Sequence, residues 1–227
     1  MGLEGVVIFR DGFFMTVFLP LYALPQQAEQ QLKDQTNFRQ SVPVLVRLLA
    51  DQNSVIRRRA IKSLGLIGPE AKDAVPELTQ ILRDVEKEIR DSAFQALAAI
   101  GSEAKQAVPA LIQALKDQNS DIRRNAISTL REIGPAARQA VPVLIIALKD
   151  QDEVVRRNAA KALRELGSES VPDLIQVLKD QDEVVRRNAK RILIEMGSEP
   201  VPGLVQALKD QDEAVRRDAA EVLEEIG

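Results

Sequence analysis

The chain of 227 residues contains no histidine, no cysteine, no tryptophan and one tyrosine. Without histidine or cysteine there is no Ser/His or Cys/His nucleophile pair, no thiol redox centre, no His/Cys zinc site and no disulfide framework. Aromatics are scarce and misplaced: Phe9, Phe13, Phe14, Phe18 and Tyr22 crowd the N-terminus, and the remainder carries only Phe38 and Phe94. Stacking platforms for bases are therefore missing. Long apolar runs are missing too, because Gly12 to Leu24 is too short to span a bilayer and extension to Val6 would bury Arg10 and Asp11. A net charge of −3 and a pI near 5.3 offer no excess positive charge for broad nucleic-acid binding, and leave room only for a local basic strip. The 45% of apolar residues still suffices for a core.

What is present is a period. Val-Pro recurs at Val42-Pro43, Val75-Pro76, Val108-Pro109, Val141-Pro142, Val171-Pro172 and Val201-Pro202, a step of 33 three times and then of 30 twice. Four further columns keep this step: Asp51, Asp84, Asp117, Asp150, Asp180 and Asp210; Arg57, Arg90, Arg123, Arg156, Arg186 and Arg216; alanine from Ala60 to Ala219; glycine from Gly68 to Gly227. Chance does not align five columns over six copies.

Each unit reads as two helices. Proline suits the opening turn of the first, where its missing N–H has no partner to lose, and Val141, Leu144, Ile145 and Leu148 follow at helical spacing. After a Lys-Asp-Gln turn, Val155, Ala159, Ala162, Leu163 and Leu166 lay one apolar stripe along a polar rod that Gly167 closes. Asp150, Asp180 and Asp210 are expected to cap the second helices, with Glu153, Glu183 and Glu213 near their positive ends. These clustered acids, including Asp152, lack the glycine of a calcium loop, so no metal is expected. The drop from 33 to 30 removes about one polar turn between Gly167 and Val171, which reads as a difference of loop and not of core.

The Val-Pro-x-Leu opening, the Leu-Lys-Asp turn, the Val-Arg-Arg-x-Ala helix start and the Ile/Leu-Gly ending resemble HEAT repeats, in particular the short kind of phycobilisome-lyase-like proteins. The resemblance covers Thr36 to Gly227. It implies an all-α fold, a right-handed α-solenoid of about six helix-pair repeats, at about 36–68, 69–101, 102–134, 135–167, 168–197 and 198–227, with second helices lining the concave side. It also implies a structural role for the charged columns: Asp51/Arg57, Asp84/Arg90, Asp117/Arg123, Asp150/Arg156, Asp180/Arg186 and Asp210/Arg216 bridge within and between units as a ladder that fixes register. The family includes binding scaffolds, chromophore lyase subunits, an iron-dependent hydroxylase and DNA-repair proteins. The hydroxylase holds iron with His-Glu pairs and is excluded here.

Residues 1–35 stand apart. They read as an apolar cap, as the product of an imprecisely chosen start codon, or as a signal in residues 1–28, which Glu4, Asp11 and Pro20 argue against. Ala23-Leu24-Pro25 with Leu32-Lys33-Asp34-Gln35 imitates a decayed helix of the repeat. At the other end, Asp218, Glu221, Glu224 and Glu225 make the last helix acidic, a weak cap that leaves Val205 and Val222 as candidate exposed apolar residues.

The second arginine, at Arg58, Arg124, Arg157, Arg187 and Arg217 with Asp91 as the exception, points away from the apolar stripe. On the same face stand Lys62, Lys161 and Arg191, then Arg131 and Arg164. Arg124, Arg131, Arg157, Lys161, Arg164, Arg187 and Arg191 thus form a basic strip, the candidate partner site for an acidic protein segment. Local pairs such as Lys161 with Glu165 and Arg191 with Glu195 are the structural alternative. The expectation is a cytoplasmic, non-catalytic protein-binding scaffold with no cofactor and no nucleic-acid partner. The alternative is a phycobilin lyase subunit or relative, in which a bilin would be the ligand.

Overall fold

The computed structural model of the chain describes residues 3–10, 13–20 and 38–227. Two compact units result, Met1–Ala107 and Val108–Gly227.

In the first unit, β1 (Leu3–Arg10) and β2 (Phe13–Pro20) pair antiparallel, with Leu3 opposite Pro20 and Arg10 opposite Phe13. The sequence reading had no strand here. Yet the run is rich in β-branched and aromatic residues, from Val6, Val7 and Ile8 to Thr16, Val17 and Phe18, and Asp11-Gly12 between the strands is a hairpin dipeptide. The imitation helix at 23–35 lies outside the described residues.

From Phe38 onward the described regular elements are all helical. The first unit holds α1 (Phe38–Leu48), α2 (Ser54–Ile67), α3 (Val75–Ile81) and α4 (Lys87–Ile100). The second holds α5 (Val108–Ala114), α6 (Ser120–Ile133), α7 (Val141–Ala147), α8 (Glu153–Glu165), α9 (Val171–Gln176), α10 (Glu183–Glu195), α11 (Val201–Ala207) and α12 (Glu213–Ile226). Short first helices thus alternate with longer second helices. Inside the second unit the second helices lie side by side in the order α6, α8, α10, α12, and α9 packs between α7 and α11.

The columns explain this packing. The alanines of the column, such as Ala159, Ala189 and Ala219, are wholly buried, where a larger side chain would force neighbouring helices apart. The predicted stripe of α8 is buried along its length, Val155 to Leu166, and each leucine removed from water contributes about 1.5–3 kcal/mol. Gly167 ends α8 with φ of +58°, a conformation that a side chain would strain.

Three expectations need correction. The N-caps are Asp152, Asp182 and Asp212, whose carboxylates accept the amides of Val155, Val184 and Ala214 at 2.8–2.9 Å; Asp150, Asp180 and Asp210 sit two residues earlier. The helices begin at Glu153, Glu183 and Glu213, so the earlier aspartates lie two residues too far upstream to reach the orphan amides. Second, the extra turn of the long connections belongs to the core. Gly68–Ala74, Gly101–Ala107 and Gly134–Ala140 are 3₁₀ segments that bury Ala71, Ala74, Ala104, Ala107, Ala137 and Ala140. The short connection after α8 keeps only Gly167–Glu169, and buried Ser170 closes it by donating Oγ–H to the Leu163 carbonyl at 2.8 Å. Third, Val222 is buried, in line with Ala162 and Ile192, whereas Val205 is exposed.

Candidate protein-binding face

The Asp and Arg columns build one turn, six times over. In each, Arg Nη1 donates to the main-chain carbonyl of the column aspartate at 2.6–2.9 Å, from Arg57 on Asp51 to Arg216 on Asp210. The aspartate carboxylate instead accepts the amide two residues on, as Asp150 does from Asp152 at 2.8 Å. The within-unit link of the expected ladder therefore runs through a carbonyl. Links to a neighbouring unit are fewer. Arg123 grips both oxygens of Asp150 through Nε and Nη2 at 2.7 Å each, and Arg57 reaches Glu86 at 2.6 Å.

These contacts set the charge states. Burial works against the Asp150 anion, but hydrogen bonds from Arg123 and from the Asp152 amide outweigh it and hold the carboxyl below its ordinary range. Hydrogen bonds from Arg124 and from the Val155 amide bring Asp152 down to about 2. Arg131 likewise holds Glu165 low, while the bonds to Asp150 and Asp152 raise Arg123 and Arg124.

The seven residues of the basic strip share the second-helix face of the second unit, and each has a partner. Arg124 binds Asp152 at 2.5 Å and Asp121 at 3.1 Å. Arg131 binds Glu165 at 2.8 Å, with Lys161 3.7 Å from the same carboxylate. Arg164 binds Glu195 at 2.8 Å, and Arg191 lies 4.0 Å from it. Arg157 and Arg187 each take the glutamate one turn back, Glu153 and Glu183, at 2.6 Å. The local pairing weighed as the alternative is thus present. It is also weak where the side chains are most exposed: Arg157 is 70% accessible, Arg187 73% and Arg191 60%, and exposed i,i+4 pairs contribute about 0.3–0.5 kcal/mol each. Beyond Arg191 the strip ends, because Lys190 is held by Glu221 at 2.8 Å and by Asp218, a buried carboxylate, at 3.7 Å.

Between α8 and α10 the face opens into a recess of about 240 Å³ lined by Glu153, Arg156, Arg157, Asn188 and Arg191. Sequence reasoning had placed Arg156 in the structural column and had not singled out Asn188. The signal was available in the repeated Arg-Arg-Asn-Ala, which sets an amide beside two guanidiniums at Asn125, Asn158 and Asn188. A second recess of about 580 Å³, beside the turns after α5 and α7, includes exposed Ile146.

Comparison with known proteins agrees with this architecture. The family model for HEAT repeats matches residues 22–98, 108–173 and 171–227, and the model for the PBS lyase HEAT-like repeat matches residues 89–117. The chain therefore belongs to the HEAT-repeat family. The first match begins at residue 22, ahead of Thr36, where the resemblance read from the sequence starts. No curated protein matches the chain. Among solved structures, an engineered protein is 24% identical with a TM-score of 0.53, over 90% of this chain and 61% of that one. A chain of the structure of Kap95p with RanGDP is 17% identical with a TM-score of 0.50, over 81% of this chain and 29% of that one. The CpcE and CpcF complex of phycocyanin lyase from Nostoc sp. PCC7120 gives 21% identity and a TM-score of 0.46, over 92% and 98%. At such identities the likeness is one of fold. Among the described residues no helix is long and apolar enough to cross a membrane.

Proposed function

We propose that this HEAT-repeat chain is a non-catalytic scaffold that holds an acidic segment of another protein against its second-helix face. The observation that supports this reading is the row of Arg157, Arg187 and Arg191, exposed guanidiniums on neighbouring helices restrained only by weak pairs. Guanidinium forks match carboxylates in bidentate geometry and exchange an internal partner for an external one at little cost. A HEAT-like neighbour in the Kap95p structure is bound to a protein, RanGDP. The Asp/Arg columns belong to the same proposal as fasteners of turns and register, apart from the contact surface. A cytoplasmic location completes it, with export through residues 1–28 as the alternative; the mass of the mature N-terminus separates the two.

Crosslinking capture from the native cell identifies the partner, and titration of that purified partner tests the face. Reversal of Arg157 and Arg187 to glutamate should weaken binding at least tenfold with helicity intact, and unchanged affinity would overturn the proposal. A second reading, a phycobilin lyase subunit or relative, is favoured by the match of the PBS lyase HEAT-like repeat to residues 89–117. A red-shifted, narrowed bilin absorption band on mixing would support it, and an unchanged spectrum would favour the scaffold.

A further inference from the structure

We infer that the recess between α8 and α10, walled by Arg156, Arg157, Asn188 and Arg191 with Glu153 at its edge, is the seat for a single carboxylate of the partner's acidic segment. This rests on the scaffold reading and narrows a strip of seven basic residues to one position.

Neighbouring intervals can be compared residue by residue, because 148–159 and 178–189 are the same twelve residues. Between α6 and α8 the matching positions are Arg123, Arg124, Asn158 and Lys161. There Arg123 is clamped by Asp150, Arg124 by Asp152 and Asp121, and Lys161 stands near Glu165. Arg123 and Arg124 already have carboxylates inside the fold. Between α10 and α12 the positions are Arg186, Arg187, Asp218 and Glu221, so an arriving carboxylate would meet two of its own sign, both turned to Lys190.

The interval between α8 and α10 differs from both. Its α10 side offers Asn188 and Arg191 in place of acids. Arg156 gives Nη1 to the carbonyls of Asp150 and Gln151 and has no carboxylate partner among the described residues. Arg191 touches Asn188 Oδ1 at 3.3 Å and comes no nearer than 4.0 Å to Glu195. Arg157 is held by Glu153 alone, in an exposed pair. Three guanidiniums face one carboxylate in a space of about 240 Å³, ample for a carboxylate and a few waters at ~30 Å³ each. A partner carboxylate displaces Glu153 from Arg157 and bridges to Arg191.

The test uses the full chain and a fluorescein-labelled hexaglutamate peptide, followed by fluorescence anisotropy at low ionic strength. One peptide per chain is expected. Arg157→Glu and Arg191→Glu should each weaken binding at least tenfold, whereas Lys209→Glu, an exposed lysine on the turn after α11 and outside the strip, should change it less than threefold. Glu153→Gln removes the internal competitor and should tighten binding about threefold, a gain that misfolding cannot imitate. Equal losses at Lys209, Arg157 and Arg191, weaker binding by Glu153→Gln, or no binding of the peptide would each overturn the seat. The scaffold reading fails separately, if the natural partner ignores reversal of Arg157 and Arg187; if it heeds that reversal and ignores Arg191→Glu, only the seat falls.

Discussion

The joint between α6 and α8 and the joint between α8 and α10 are made from the same columns, yet they are fastened differently. In the first, Arg123 holds its turn and also clamps Asp150 of the next unit. In the second, Arg156 holds its turn in the same way and leaves Asp180 to the amide of Asp182. The connections differ as well. Gly134–Ala140 inserts a 3₁₀ turn with two buried alanines before α7, whereas Gly167–Glu169 and Ser170 bring the chain into α9 directly. A residue's identity and column do not decide its partner: behind an equally long connection, Arg57 takes Glu86 and not the column aspartate Asp84. One arginine becomes a structural clamp, and its counterpart thirty-three residues on becomes the floor of a recess.

Substitution of the two aspartates should show the largest contrast. Asp150→Ala removes a turn acceptor and strands the half-buried Arg123, and is expected to cost about 2–3 kcal/mol in urea unfolding. Asp180→Ala loses the turn alone and should cost about 1 kcal/mol. Equal costs would break the comparison. The caps give a smaller contrast with a pH signature. Asp182→Ala should cost about 1 kcal/mol, since beyond its cap it has only an exposed Lys149 at 3.7 Å, and Asp152→Ala more, because Asp152 also holds Arg124. The Asp152 carboxyl falls from 3.8 to about 2 on folding, so its contribution is complete above the unfolded value and is lost as pH falls from about 4 towards 2. Asp152→Asn keeps a cap and should flatten that stretch of the stability profile. Ser170→Ala should have the smallest effect, about 0.5–1 kcal/mol, since the long connections carry alanine at Ala107 and Ala140 in its place.

The helical stripes were legible because burial repeats with the helix period: Val155, Ala159, Ala162, Leu163 and Leu166 are buried as read. Turn chemistry was legible only to within a residue or two. Asp150 and Asp152 are chemically alike, and only the position of the first helical residue tells which one caps. Strand pairing in residues 3–20 went unread because a search for helical columns is blind to a single hairpin that no repeat echoes. The strip was legible as charge, but its pairing was not. Arg131 with Glu165 and Arg164 with Glu195 join residues 34 and 31 apart, contacts that exist only once neighbouring helices are set side by side. Asn188 and Arg156 come together in the recess by the same route.

The latch of each hairpin, guanidinium on main-chain carbonyl, has neither a donor nor an acceptor that titrates between neutrality and strong acid. The clasp from one hairpin to the next, guanidinium on carboxylate, has one that does. Acid therefore opens the clasps at Asp150 and Asp152 while the guanidinium-to-carbonyl latches stay shut.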